Sequence, residues 1–453
     1  MDRHYFKYFL PLAIISLGLS YRLYQLTHVP FDFDQVQIAQ AADRILSGDF
    51  TLIGPRTGPA SMFTGPLIYY LTAGFGLVLP VHYALVTTTG FISLVTGLGL
   101  FLLSRKYLSH KYALVITSLW AFSPLLINLD RIPWNPNLSV LAAALVFFPS
   151  LKIPQGLKIN DLLVVSLGVF LGYQAHFSGF LLLPLFGLAY LIYAPKRKLI
   201  SLILPSLALV ATLTPTILFD FRHNWLNSRG LLSLLSNNDQ VSNSNLFPMI
   251  WEKLHIAISV LGATLLNQNS SSLILITGMG VFVSWLYIQY QQTKYSRLFT
   301  GLGWLVIVSL SFALYRESTP EYYFLILMPF FLFLIADVLI KNLKNKQIIW
   351  ILVVLGLHAA FLTYNNYHLN SGLNLKTQLA TVSALEQISQ ETPISRVEYD
   401  MEFTKDLGLK YFLDKKALTL DDSGSPAWII HPATLDRNYT VAVSADTVIW
   451  VEP

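Results

Sequence analysis

The chain reads as an all-α polytopic membrane protein of about eleven transmembrane helices with further interfacial helices, ending in a small C-terminal α/β domain outside the bilayer, and three observations predict it. Of the 453 residues, 54% are hydrophobic and only 12% charged, a balance suited to a lipid environment. Apolar stretches recur at close to the ~20 residues that a helix needs to span the hydrocarbon core. The segments between them alternate in charge type. One set is Lys/Arg-only: Arg105-Lys106, Lys152 with Lys158, Pro195-Lys196-Arg197-Lys198, Lys294 with Arg297, and Lys341, Lys344 and Lys346. The other set mixes Asp, Arg, His and Trp. By the positive-inside bias the first set faces the cytoplasm, so the second shares the opposite face.

The first crossing is expected over residues 6–24. Its apolar run after Lys7 has the look of a secretory signal, but no small-residue cleavage site follows in Ser20-Tyr21-Arg22-Leu23-Tyr24, so it reads as a retained helix. An outer loop over 25–82 comes next. It opens on Phe31-Asp32-Phe33-Asp34-Gln35 and continues as a helix with Val36, Ala39, Ala42 and Ile45 on one stripe and Gly48 just past its end. The remaining crossings are expected over 83–104, 112–127, 138–151, 161–173, 177–193, 199–219, 273–290, 298–315, 322–340 and 348–364. Counting either 66–79 or 247–266 alone as a further span would put a lysine loop outside, so both are placed in the outer interface. An odd count leaves the N-terminus in the cytoplasm and the C-terminus outside. Several crossings are short, notably 161–173, which lets outer loops sink into the bilayer around a recessed, outward-open cavity.

Beyond residue 369 charge rises and long apolar runs vanish. Leu375, Leu379, Val382, Leu385 and Ile388 recur at helical spacing, while 397–399, 427–430 and 447–451 read as strands. The domains are therefore 1–368 in the membrane and 369–453 as an extracytoplasmic α/β unit. The net charge of +5 follows from the cytoplasmic loops and argues for no nucleic-acid partner. The absence of cysteine excludes disulfides, thiol catalysis and cysteine-ligated metals, without fixing a compartment.

Chemistry is expected on the outer face. Asp34 stands at the start of a helix, where its carboxylate serves either as a cap or, with Asp32 beside it at the edge of a cavity, as a general base that takes a proton from an attacking hydroxyl. Other outer loops carry Asp130 to Asn137, Tyr173 to Ser178, Asp220 to Trp225 and Tyr315 to Tyr323. Their arginines, Arg131, Arg222 and Arg316, suit phosphate because the guanidinium fork donates two hydrogen bonds to its oxygens. Asn135, His176 and Tyr322 complete the candidate substrate-binding set. Plainer readings stand beside these: aromatic residues of an interfacial belt, a structural His176, and an Asp130–Arg131 ion pair. The paired acids Asp32 and Asp34 would suit a magnesium or manganese ion, but two adjacent carboxylates do not define a metal site, and metal is left unassigned.

At these residues the chain resembles the glycosyltransferase C superfamily, in particular the protein O-mannosyltransferase-like family 39 enzymes and the lipid A aminoarabinose transferases. The resemblance covers about residues 1–367. It rests on the acidic motif after the first crossing, the helix ending Leu46-Ser47-Gly48-Asp49, then Gly65-Pro66-Leu67-Ile68-Tyr69-Tyr70, then Arg131 through Trp134-Asn135-Pro136. It implies transfer of a sugar from a polyprenyl-phosphate donor to an acceptor lipid, glycan or protein, at the outer face of the plasma (inner) membrane, with inversion and with no required cofactor. Such families typically carry Asp-Glu where this chain has Asp34-Gln35, so the base carries over to Asp34 and the neighbouring glutamate does not. Some relatives have a lysine where Gly65 stands, which would leave phosphate to Arg131, Arg222 or Arg316 here. Three other readings remain open: a transporter or flippase for lipid-linked sugars, a glycan polymerase or ligase using a diphosphate lipid, and a non-enzymatic assembly protein. No matching halves of a transporter repeat are visible, and the acids cluster at the outer edge.

Overall fold

The computed structural model describes residues 3–57, 62–195, 198, 200–236, 246–266, 271–292, 295–315, 319–366, 374–391, 396–399, 407–416, 427–432, 440–444 and 447–451. The chain begins with α1 (Arg3–Leu23) and the amphipathic α2 (Phe33–Leu46), which ends at Gly48 with φ +91°. A small hairpin of β1 (Arg56–Thr57) and β2 (Met62–Phe63) and the ten-residue helix α3 (Leu67–Gly76) complete the first loop. At ~1.5 Å per residue, α3 is too short to cross.

The bundle follows. It comprises α4 (Val81–Tyr107), α5 (His110–Phe122), α6 (Pro124–Asp130), α7 (Ser139–Ser150), α8 (Ile159–Ala175), α9 (Leu182–Tyr193), α10 (Ile200–Arg222), α11 (Leu226–Ser236), α12 (Leu246–Ala263), α13 (Ser271–Gln292), α14 (Tyr295–Tyr315), α15 (Met328–Asn342) and α16 (Asn345–Tyr364). Helices α7 and α15, with the 3-10 turns leading into them, form an almost wholly buried inner pair, whereas α10, α13 and α16 turn most of their apolar surface outward to lipid. Phe147 on α7 sits among Trp304, Phe330 and Phe333, with ring centroids 5.2–5.9 Å away.

Eight helices among the described residues are long and apolar enough to cross a membrane, or nine if a bent pair counts as one span. The expected span 112–127 is that bent pair: α5 and α6 meet at 62°. Pro124 has no N–H to continue α5 and forces Ser123 into an extended conformation, from which the Ser123 hydroxyl caps α6 by accepting from Leu126 N at 3.3 Å. Three expected spans, now Phe9–Leu23, Ile159–Ala175 and Phe177–Tyr193, are shorter apolar helices. Conversely α12, expected in the interface, meets the length and hydropathy of a span. It packs tightly along α13, where a Cβ on Gly262 would lie 1.9 Å from Ile274 O and one on Gly278 2.1 Å from Ile258 O.

Buried carboxylates stitch the bundle. Asp130 accepts from Arg22 Nε at 2.7 Å, and the same guanidinium donates to Gly18, Trp120 and Ala121 carbonyls and lies 4.2 Å over the Trp120 ring. Asp130 therefore pairs with α1 and not with its neighbour Arg131. Asp337 accepts from Tyr112 and Gln289, tying α5, α13 and α15. Asp161 gathers Lys106, Tyr107, Lys152 and the Lys158 N–H where two lysine-bearing segments meet, the end of α4 and the connection from α7 to α8.

The C-terminal unit contains α17 (Leu375–Glu391), β3 (Arg396–Tyr399), α18 (Leu407–Lys415), β4 (Ala427–Pro432), β5 (Thr440–Ser444) and β6 (Thr447–Val451). Its sheet runs β3-β4-β6-β5, with β3 parallel to β4 and the other pairs antiparallel.

Candidate functional site

The start of α2 builds one wall of a cavity. Asp32 occupies the N-cap position: its carbonyl accepts the first helical bond from Val36 N at 2.8 Å, and its N–H donates to Gln35 Oε1 at 3.2 Å. Capping is thus handled by Asp32 and Gln35, and Asp34 at the second helical position is released from it. Among the described residues no hydrogen bond or ion pair engages the Asp34 carboxylate. Burial, and then the charge of Asp32, raise its pKa above the usual carboxylate value. Gln35 also donates from Nε2 to Pro133 O at 3.3 Å, so it ties the acid loop to the next wall.

That second wall is Trp134-Asn135-Pro136. Asn137 holds the turn by donating to Ile132 O at 2.8 Å and accepting from Trp134 Nε1 at 2.8 Å. Asn135 Nδ2 donates to Ala175 O at 2.5 Å, which brings up the segment carrying His176. The His176 Nδ1 accepts from Ser178 N at 3.3 Å, and burial lowers the imidazole pKa to about 3. The ring is therefore neutral with its proton on Nε2. Tyr322 and Tyr323 close the far side, with the Tyr322 ring centroid 4.6 Å from Trp134 and 5.7 Å from His176.

The cavity these walls enclose measures about 250 Å³ and is lined by Asp34, Arg56, Trp134, Asn135, His176 and Tyr322, with Phe33, Pro55, Thr57, Pro136 and Tyr323. Arg56 is the residue that sequence reasoning missed. It is exposed, its guanidinium makes no ion pair or hydrogen bond among the described residues, and it is carried in by the hairpin. The hairpin's base needs a bare backbone, since a Cβ on Gly54 would fall 2.1 Å from Gly65 O. Gly65 itself faces Gln174: a Cβ there would lie 2.2 Å from Gln174 Oε1, which instead caps α3 by accepting from Leu67 N at 3.0 Å. The side-chain amide of Gln174 occupies the space that a lysine at position 65 would enter.

Of the expected phosphate arginines, Arg131 is buried and donates to Tyr21 O, Arg22 O and Gln25 O at 2.9–3.3 Å, closing the C-terminal end of α1. Arg222 is exposed at the end of α10 and does not line the cavity. Arg316 lies outside the described residues. Asp32 caps α2 and does not line the cavity. No group of three or more His, Asp or Glu side chains is placed to hold a metal ion among the described residues. A second cavity of about 200 Å³ adjoins the first across Thr57. Its lining mixes Phe63, Phe177, Phe180, Leu213 and Ile217 with polar groups already spent on each other, such as Tyr173 with Thr216 at 2.7 Å.

No protein-family model matches the chain, and no curated protein sequence matches it significantly. Solved structures do. The chain is similar to ArnT from Cupriavidus metallidurans bound to undecaprenyl phosphate, with 10% identity, a TM-score of 0.61 and 97% coverage of both chains. The apo state of the same protein aligns with a TM-score of 0.57 at 12% identity, again over 97% of each. The Archaeoglobus fulgidus oligosaccharyltransferase in apo form aligns with a TM-score of 0.51 at 13% identity, over 92% of this chain and 61% of that one. The chain thus shares its fold with ArnT and with this oligosaccharyltransferase.

Proposed function

We propose that this multi-pass membrane protein transfers a single sugar from a polyprenyl-phosphate donor to an acceptor hydroxyl at the outer membrane face, with inversion and with Asp34 as general base. The observation that carries the reading is the Asp34 carboxylate: without a hydrogen bond or ion pair among the described residues, raised in pKa, and sharing a cavity with Arg56, which is likewise unpaired among those residues. In the reaction, Asp34 accepts the acceptor's O–H proton as that oxygen bonds to the sugar's anomeric carbon. The bond from that carbon to the phosphate oxygen breaks, and its electron pair leaves with the polyprenyl phosphate. The Arg56 guanidinium offsets the charge that develops on the phosphate, and the neutral His176 Nε2–H supplies a further donor. The apolar lining of the adjoining cavity suits the first units of the polyprenyl chain. That ArnT was solved with undecaprenyl phosphate bound supports a donor of this class.

The same reading keeps the N-terminus in the cytoplasm and the C-terminal unit outside, on the strength of the lysine-bearing segments. The test is transfer of radiolabelled sugar from a polyprenyl-phosphate donor in liposomes by the wild-type protein and by Asp34→Asn. Transfer by the wild type that vanishes in a folded Asp34→Asn protein is expected. Full turnover in that variant would remove Asp34 from the mechanism.

A further inference from the structure

The acid loop does not hold itself in place. Residues 27–32 contain no helix or strand, yet three alternate carbonyls on this stretch are taken by the C-terminal unit. Lys376 N donates to Thr27 O at 2.9 Å, Leu375 N to Val29 O at 3.0 Å, and the fully buried Gln378 donates from Nε2 to Phe31 O at 2.9 Å. The first two are free N–H groups at the start of α17, which would otherwise need other partners. The Phe31 ring, fully buried, packs with centroids 5.5 Å from Tyr411 and 5.0 Å from Phe412 on α18. Farther along α2, Asp43 accepts from Tyr411 Oη and Lys415 Nζ, each at 2.8 Å. The fit is closest at Gly408, where a Cβ would lie 2.2 Å from Phe31 O and 2.1 Å from Gln378 Oε1.

None of these C-terminal residues lines the cavity, so none touches substrate. We infer that Gln378 and Gly408 of the C-terminal unit are positioning residues for Asp34: they fix the Phe31 carbonyl and with it the first turn of α2, against the opposing tie from Gln35 to Pro133. This rests on the reading of Asp34 as the base. A base works only within hydrogen-bond reach of its proton, and displacement of a reacting group by ~1 Å can cost about 10²-fold in rate. A covering domain with a purely protective role has no need of the loop's carbonyls. Here it binds them in succession up to the residue before the helix cap.

The experiment compares full-length Gln378→Met and Gly408→Ala with Lys416→Ala, which removes only an ion pair to Glu386 inside the C-terminal unit. Sugar transfer is measured across donor concentrations, with thermal melting as the check on folding. Gln378→Met and Gly408→Ala should lose roughly 10–100-fold in kcat with KM for the donor unchanged, while Lys416→Ala transfers like the wild type. Unchanged kcat in both folded variants, or an equal loss in Lys416→Ala, overturns the inference. A second readout needs no activity. Because the chain has no cysteine, Asp34→Cys carries its only thiol, whose rate of modification reports on the loop. Adding Gln378→Met or Gly408→Ala should change that rate several-fold, and Lys416→Ala should not. An unchanged rate overturns the positioning role even if no polyprenyl-phosphate donor is ever found to react. A changed rate in a protein that transfers no sugar would leave the loop's grip standing and sink only the proposed function.

Discussion

Asp34 is held where its ionised form is disfavoured: burial first, and then Asp32 two residues away, raise its pKa. A carboxylate with a folded pKa above its unfolded one loses stability as pH rises through that interval, because the folded state must give up a proton it holds more tightly. At neutral pH, Asp34→Asn should therefore melt at or above the wild-type temperature while transfer falls by about 10²–10⁴-fold; a lower melting temperature would show the carboxylate to be structural. Since the base must be ionised, kcat/KM should rise with pH at a midpoint above the ordinary carboxylate range. Asp32→Asn, which still caps, removes the repulsion and should move that midpoint down, and a pH–rate profile with an unmoved midpoint would contradict the pairing. Arg56→Ala should raise KM for the donor at least tenfold with Arg56→Lys intermediate, because a lysine offers charge without the fork. That Asp34, Asn135, His176 and Tyr322 share a cavity lining could be anticipated, because aspartates, amides and aromatics stand out in the loops between apolar runs, whereas Asp32, picked out by the same signal, lies outside that lining. Arg56 was not, since a two-residue strand has no periodicity to mark it. Nor does the sequence distinguish Arg131, whose donors go to the carbonyls ending α1, from an arginine with its donors free.

Among the elements, the helices that bring the site together are those with interruptions. The break at Ser123-Pro124 turns α6 across the bundle and delivers Asp130 to Arg22 and the following turn to Gln35. Its cause was in the sequence, as a proline disfavours the helical conformation of the residue before it, but an apolar run with no polar gap reads as one span. The α12–α13 contact was hidden for a different reason: hydropathy reports what a helix can enter, and the glycines that let two backbones touch add nothing to it. Gly278→Ala places a Cβ against the Ile258 carbonyl and should destabilise the protein by about 1–3 kcal/mol, read as a lowered melting temperature with the transfer reaction's KM unaltered. A melting temperature equal to the wild type would mean that α12 and α13 sit farther apart in the bilayer.

For the molecule as a whole, the proposed orientation gives the two faces of the membrane different work. Asp161 joins two of the lysine-bearing segments at one end of α8, and the cavity with its acid loop, held by the C-terminal unit, lies at the other. Single cysteines test which end is outside, because the chain supplies no background thiol. In intact cells an impermeant reagent should label Ser383→Cys on α17 and spare Ser109→Cys beside Arg105-Lys106; labelling of both from one side would overturn the orientation. That orientation rests on loop charges alone, whereas the partnership between Phe31 and the C-terminal unit was not legible, because nothing in a sequence marks a carbonyl and an amide as neighbours across 347 positions. That separation also sets a clock. At ~5–20 residues per second, a ribosome needs roughly 20–70 s after making Phe31 before Gln378 exists to hold it. Through that interval the helices up to α16 are made while the acid loop waits unlatched, so a nascent chain acquires its finished site only after α16 has been synthesised.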